Sequence, residues 1–214
     1  MRIALPVIAT LTFSAASHGL AQVVPDGTYD VYQQEITVEG RLEGCSLVFT
    51  TITTDTAYSG GKQILLNGSI ALRRSRDRDL VFTGKLGTRK LAATGPGVWE
   101  KPAHFHFFGA TGTTAGHAQF VDAENEGYRL LLVRATEEDV MHLLVDMIGT
   151  AEFSVGFNRK PGGQDVTSKI RMNVSLQRGP NGQMRPVENP QTAVDYARCV
   201  SRVIDSFAQQ LPSK

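Results

Sequence analysis

Apolar residues recur at every second position in one segment after another of this 214-residue chain, and no other feature constrains the fold as strongly. Ile64, Leu66, Ile70 and Leu72 share one parity, as do Phe153, Val155 and Phe157, and again Ile170, Met172, Val174 and Leu176. Successive strand side chains point to opposite faces, so each run buries one face and leaves the other wet. Gly, Asn and Asp punctuate the runs where hairpins must turn. The candidate strands are 28–34, 36–42, 45–53, 63–73, 80–85, 103–108, 117–122, 128–135, 140–148, 152–158 and 167–177. Many short strands separated by turns predict a mostly β, antiparallel sandwich or barrel-like domain.

The stretch 128–148 reads as a hairpin, with YRLLLVRA and VMHLLVDMI flanking the charged link Thr136-Glu137-Glu138-Asp139. A helix opening at Thr136, with Asp139 in the acidic third position of a capping motif, fits the same leucine-rich residues. The C-terminal segment, about 190–211, reads as a helix. Asn189 suits the N-cap and Pro190 the first helical position, where a missing N–H costs nothing. Ala193, Ala197, Val200, Ile204, Phe207 and Leu211 then repeat at three and four, a stripe that packs on the sheet. Cys199 lies at its edge, beside Val203.

The first residues, MRIALPVIATLTFSAASHGLAQ, place Arg2 before an apolar run and end in small residues. This is the order of a secretory leader cleaved after Ala21. Pro6, Thr10, Thr12 and Ser14 interrupt a run already too short to span a bilayer, and no later stretch serves as a transmembrane segment. The expected product is one β-rich domain of residues 22–214, periplasmic or secreted. Losing Arg2 with the leader leaves 21 Lys and Arg against 21 Asp and Glu. A net charge of zero offers no general footprint for nucleic acid or an anionic membrane. Cys45 and Cys199 are the two cysteines. In an oxidising compartment they predict one disulfide tying the last helix to the sheet, the alternative being two buried thiols. Their separation excludes a C-x-x-C redox pair and a Cys-rich zinc site.

Few constellations point to chemistry. His104 and His106 sit two apart in a predicted strand, so both imidazoles share a face, and His117 across a glycine-rich loop supplies a third. Three His suit Zn or Cu(II). The plain alternative is a half-exposed strand face. His142 and Asp146 are spaced as a base and its orienter, but no nucleophile signature completes the set. The acids of Asp122–Gly127 begin like a calcium loop, yet the closing Glu is Val133, which leaves an acidic hairpin turn. Arg74 and Arg76 belong to an arginine-rich hairpin end, 73–79, able to dock carboxylate or phosphate or to pair with its own Asp77 and Asp79. Trp99, the one tryptophan, is a surface anchor for a partner or a lid on the core. These residues predict a non-enzymatic, cofactor-free domain binding a protein partner or small ligand through the loops around Trp99 and 109–116. The alternative is a metal-binding protein or metal-dependent enzyme using His104, His106 and His117.

Overall fold

The computed structural model describes residues 25–75, 77, 79–91, 97–180 and 184–209. The leader and its junction after Ala21, Arg76, Leu211, the Leu176 side chain and parts of the turns at 95–97 and 179–182 lie outside the described residues. In chain order the elements are β1 (Gly27–Val38), β2 (Arg41–Asp55), β3 (Lys62–Arg74), β4 (Leu80–Lys90), β5 (His104–Phe108), β6 (Gln119–Asp122), β7 (Tyr128–Arg134), α1 (Glu138–Thr150), β8 (Glu152–Asn158), β9 (Val166–Arg171), β10 (Val174–Arg178), β11 (Met184–Glu188) and α2 (Gln191–Ala208). A six-stranded sheet has the order β1-β2-β3-β4-β7-β6, a three-stranded sheet the order β5-β8-β9, and β10 and β11 form a hairpin. All pairings are antiparallel. The fold is mostly antiparallel β and sandwich-like, with the C-terminal helix packed on the large sheet.

Alternation builds the core as the sequence predicts. Ile64, Leu66, Ile70 and Leu72 are all buried on one face of β3, and Phe153, Val155 and Phe157 on one face of β8. Phe49 of the large sheet meets Phe107 and Phe153 of the small one edge to face at 6.3 and 5.7 Å, and Phe82 meets Phe107 at 6.3 Å. Two glycines make room for these rings. A Cβ at Gly68 would lie 2.6 Å from Phe49 Cζ, and one at Gly84 would overlap the Phe107 ring. Thr28 links the two sheets at one corner: its hydroxyl accepts Arg171 N–H at 2.9 Å and donates to Lys169 O at 3.4 Å.

Four sequence expectations are corrected. The segment 140–148 is helix, not the second arm of a hairpin: Val140, Leu143, Leu144 and Met147 are buried at helical spacing while Met141, Val145 and Ile148 face solvent. The helix opens after Glu137 without a side-chain cap, so Thr136 does not serve as one. The strand placed at 36–42 crosses a turn, because Glu39 and Gly40 both take positive φ and close the β1–β2 hairpin in the I′ manner. The long strand 167–177 breaks at Met172–Asn173, so β9 and β10 join different sheets. β11 escaped prediction because it contains Pro186 and shows no alternation.

Cys45 and Cys199 are disulfide-bonded across a separation of 154 residues. The buried stripe of α2 is centred on Tyr196, Cys199, Val200 and Val203, while Ala193, Ile204 and Phe207 are only partly covered. Cys199 is therefore central rather than marginal. Asn189 does not cap the helix with its side-chain oxygen; its amide nitrogen donates to Thr192 Oγ1 at 3.2 Å.

Candidate functional site

Strand register sorts the outer face of the large sheet into rows. One row reads Tyr32, Val48, Ser69, Lys85, Leu130 and Val121, and another contains Arg73, Val81 and Arg134. On this face Tyr128 stands opposite Gly87 and lays its ring across it, since a Cβ there would lie 2.7 Å from Tyr128 Cε1. The Tyr128 hydroxyl donates to Asn67 Oδ1 at 3.1 Å, and the Asn67 amide donates to Phe49 O and Thr50 Oγ1. Burial pushes the Tyr128 phenol up, with Arg89 pulling the other way, so it stays a neutral donor at pH 7.

Trp99 rests against Tyr128 with ring centroids 5.4 Å apart. The next residue fixes it there: Glu100 and Thr88 exchange backbone hydrogen bonds at 2.7 and 2.9 Å and extend the sheet beyond β7. Lys85 Nζ lies 4.6 Å from the Tyr128 centroid, and the Arg89 guanidinium 4.7 Å from that of Trp99. Such cation–π contacts contribute about 0.5–1 kcal/mol each at exposed sites. They also hold two cations in place without neutralising them. Neither cation takes part in the ion pairs of the described residues. Trp99 is thus half-buried on the outer face and does not lid the core. It sits at the Tyr128 end of β7, whereas the loop 109–116 packs on α1, which follows the Arg134 end, so the two loops expected to share a ligand do not meet.

The histidines separate. His104 and His106 share the outer face of β5, as period two requires, with ring centroids 6.2 Å apart. Gly156 stands opposite His106 and leaves its ring room to lie across β8. His106 Nδ1 is 3.6 Å from Asp165 Oδ2, and Asp165 Oδ1 accepts the Asn158 amide at 2.9 Å. Burial lowers the His106 pKa, Asp165 opposes that shift and His104 adds to it. His117 is held elsewhere, 3.0 Å from Asp139 Oδ2 and 3.9 Å from Glu137 Oε2 at the start of α1. Among the described residues no group of three or more His, Cys, Asp or Glu is arranged to hold a metal ion.

Of the arginines read as a docking tip, Arg74 points inward, 3.9 Å from Glu43 and hydrogen-bonded to Ser206 on α2, with its side chain only 9% exposed. It fastens the helix to the sheet. Arg73 is the neighbour that faces out. Asp146 does not orient His142, because its carboxylate accepts the N–H groups of Thr111 and Gly112. The acids 122–127 form the β6–β7 hairpin turn as expected. Lys85, Arg89, Tyr128, Asp165 and Asn158 were not singled out in the sequence. Each lies in an ordinary strand or turn, and only register brings them to their partners. Comparison of the chain with protein-family models, curated proteins and solved structures finds no match to any of them, so its function must be read from this geometry.

Proposed function

We propose that the protein acts outside the cytoplasm as a non-enzymatic binding domain, taking a small ligand or a protein partner on the outer face of its large sheet at Trp99 and Tyr128. The observation that carries this reading is the pair of cations, Lys85 and Arg89, fixed over the two rings and outside the ion pairs of the described residues. Rigid aromatic side chains with ordered charged neighbours are what binding surfaces use as anchors. The disulfide and the leader-like N-terminus support an oxidising, exported setting, periplasmic or secreted. Because Trp99 is the one tryptophan, its emission reports on this site directly. Titration with a panel of saccharides and peptides should give a saturable emission change for the true ligand class, abolished by Tyr128→Ala. Calorimetric binding that leaves Trp99 emission unmoved would overturn the assignment.

A second reading retains a Zn or Cu site. It is favoured by His104 and His106 sharing one half-buried strand face beside Asp165. It predicts stoichiometric metal that His104→Ala with His106→Ala abolishes. Protein that ignores added Zn and Cu removes it.

A further inference from the structure

We infer that the occupant of this face is an anionic polysaccharide chain, an inference that rests on the binding function proposed above and names its ligand class. Register places Arg73, Lys85, Arg89 and Arg134 on the outer face of the large sheet, against Asp30, three strands from Lys85, as the one acidic strand residue there among the described residues. The ion pairs among the described residues involve none of these four cations. The net charge of the 22–214 chain is zero, so this is a local sorting of charge and not a reflection of composition.

The dimensions select a chain over a small ion. From Val81, which lies between Arg73 and Arg134, to Arg89 is eight residues of β4, roughly 26 Å at about 3.3 Å per residue. Arg73 and Arg134 stand two strands apart, roughly 10 Å. A single phosphate or carboxylate spans neither distance. Between the cations the face offers Thr83, Ser69 and Thr50, hydroxyl groups suited to hydrogen-bonding sugar hydroxyls. A groove of about 410 Å³ lies beside Arg134, floored by Val81 and Leu132 and edged by Gln119, His117 and Glu137, the last 3.9 Å from His117.

Other polyanions fit less well. A protein interface wants a continuous apolar, aromatic centre, whereas here Ser69 and Lys85 interrupt the row between Val48 and Leu130. A membrane surface needs clustered apolar side chains to insert, and the exposed ones here are scattered: Tyr32 and Val121 on the edge strands β1 and β6, Leu91 just past β4 and Val98 next to Trp99. The acidic turn bearing Glu124 and Glu126 borders the Trp99 end, because Gly127 packs on Trp99. That turn repels anions, and Glu137 lines the groove beside Arg134, so the densest charge of the ligand belongs toward Arg73.

The test is retention of the intact, oxidised protein on immobilised heparin and alginate, beside neutral dextran and amylose and anionic phosphatidylglycerol vesicles, with Trp99 emission followed in solution. We expect retention on the acidic polysaccharides alone, released by salt because exposed charge pairs are screened. Arg73→Gln with Arg134→Gln, both at exposed positions, should bind at least about tenfold more weakly and with a shallower salt dependence. Adding Lys85→Gln should deepen the loss, and an unchanged thermal melt of the double variant shows that folding is not the cause. Trp99-dependent binding to neutral sugars or to a peptide, insensitive to the arginine changes, overturns the anionic inference and leaves the binding face standing. Retention on vesicles but not on polysaccharides overturns it in favour of a membrane. No binding to any probe, with Trp99 unmoved throughout, overturns both.

Discussion

Gly112 lies flat against the backbone of Leu143 on α1, with no room for any side chain between them: a Cβ on Gly112 would overlap the Leu143 amide nitrogen. Asp146, one turn further along, accepts the N–H groups of Thr111 at 2.6 Å and Gly112 at 3.1 Å, so loop and helix are locked by packing and hydrogen bonds together. Gly112→Ala must therefore displace backbone rather than a flexible side chain. We expect a loss of roughly 3 kcal/mol, at the upper end of overpacking costs. At about 2–4 °C per kcal/mol for a domain of this size, thermal denaturation should show the midpoint falling by roughly 10 °C.

The same clasp sets an acid limit. Hydrogen bonds from Thr111 and Gly112 lower the Asp146 pKa, so the carboxylate contributes stability that is complete above its unfolded value of about 3.9 and lost as pH falls through the lower folded value. Burial of His106 acts earlier in the same direction. With a folded pKa below about 6.5, the unfolded chain takes up the proton first, and stability declines as pH drops from there. Denaturant midpoints measured from pH 7 to pH 3 should fall in these two stages. Asp146→Asn should flatten the lower stage only, and a lower stage that survives that substitution would refute the assignment.

Reduction should weaken the whole fold. The Cys45–Cys199 bond closes 154 residues, and removing a native disulfide typically costs 2–5 kcal/mol. Cys45→Ala with Cys199→Ala should lower the guanidinium midpoint accordingly, and reductant should then have no further effect. Protein recovered from an exporting host should begin at Gln22 and weigh two hydrogens less than its reduced form, which intact mass spectrometry reads directly.

Arg73 and Arg74 are neighbours with opposite duties. Arg74→Ala strands Glu43 and frees Ser206 on α2, and should cost about 1–3 kcal/mol. Arg73→Ala should fall within about 0.5 kcal/mol of the parent, since its side chain is exposed. Equal losses in thermal melts would contradict the inward and outward placement.

Tyr196 is fully buried on α2, and its hydroxyl has no hydrogen-bond partner among the described residues. Desolvation drives its phenol pKa far up. An unmet buried hydroxyl costs energy, so Tyr196→Phe should hold or raise stability by up to about 1 kcal/mol. A clear loss in urea titration would show that the hydroxyl is satisfied in solution.

The sequence by itself determined which residues face the core. Alternation in β3 and β8 marks the buried side chains, since a strand has only two faces and apolar residues leave water together. It also determined the C-terminal helix and the pairing of the two cysteines, because a 3.6-residue stripe and an even cysteine count are local or compositional signals. It did not decide between strand and helix at 140–148, where both periods fit a leucine-rich run and packing against β8 selects the helix. Only the tertiary structure decided where charge collects. Lys85 and Arg89 come from β4, Arg73 from β3 and Arg134 from β7, and nothing local in the sequence says that these separate segments share one face. Antiparallel register brings their outward parity to one face and leaves the acids to turns and other surfaces. A one-residue slip would turn all four the other way, which is why a chain whose 22–214 portion has zero net charge carries a basic face that no reading of composition predicts.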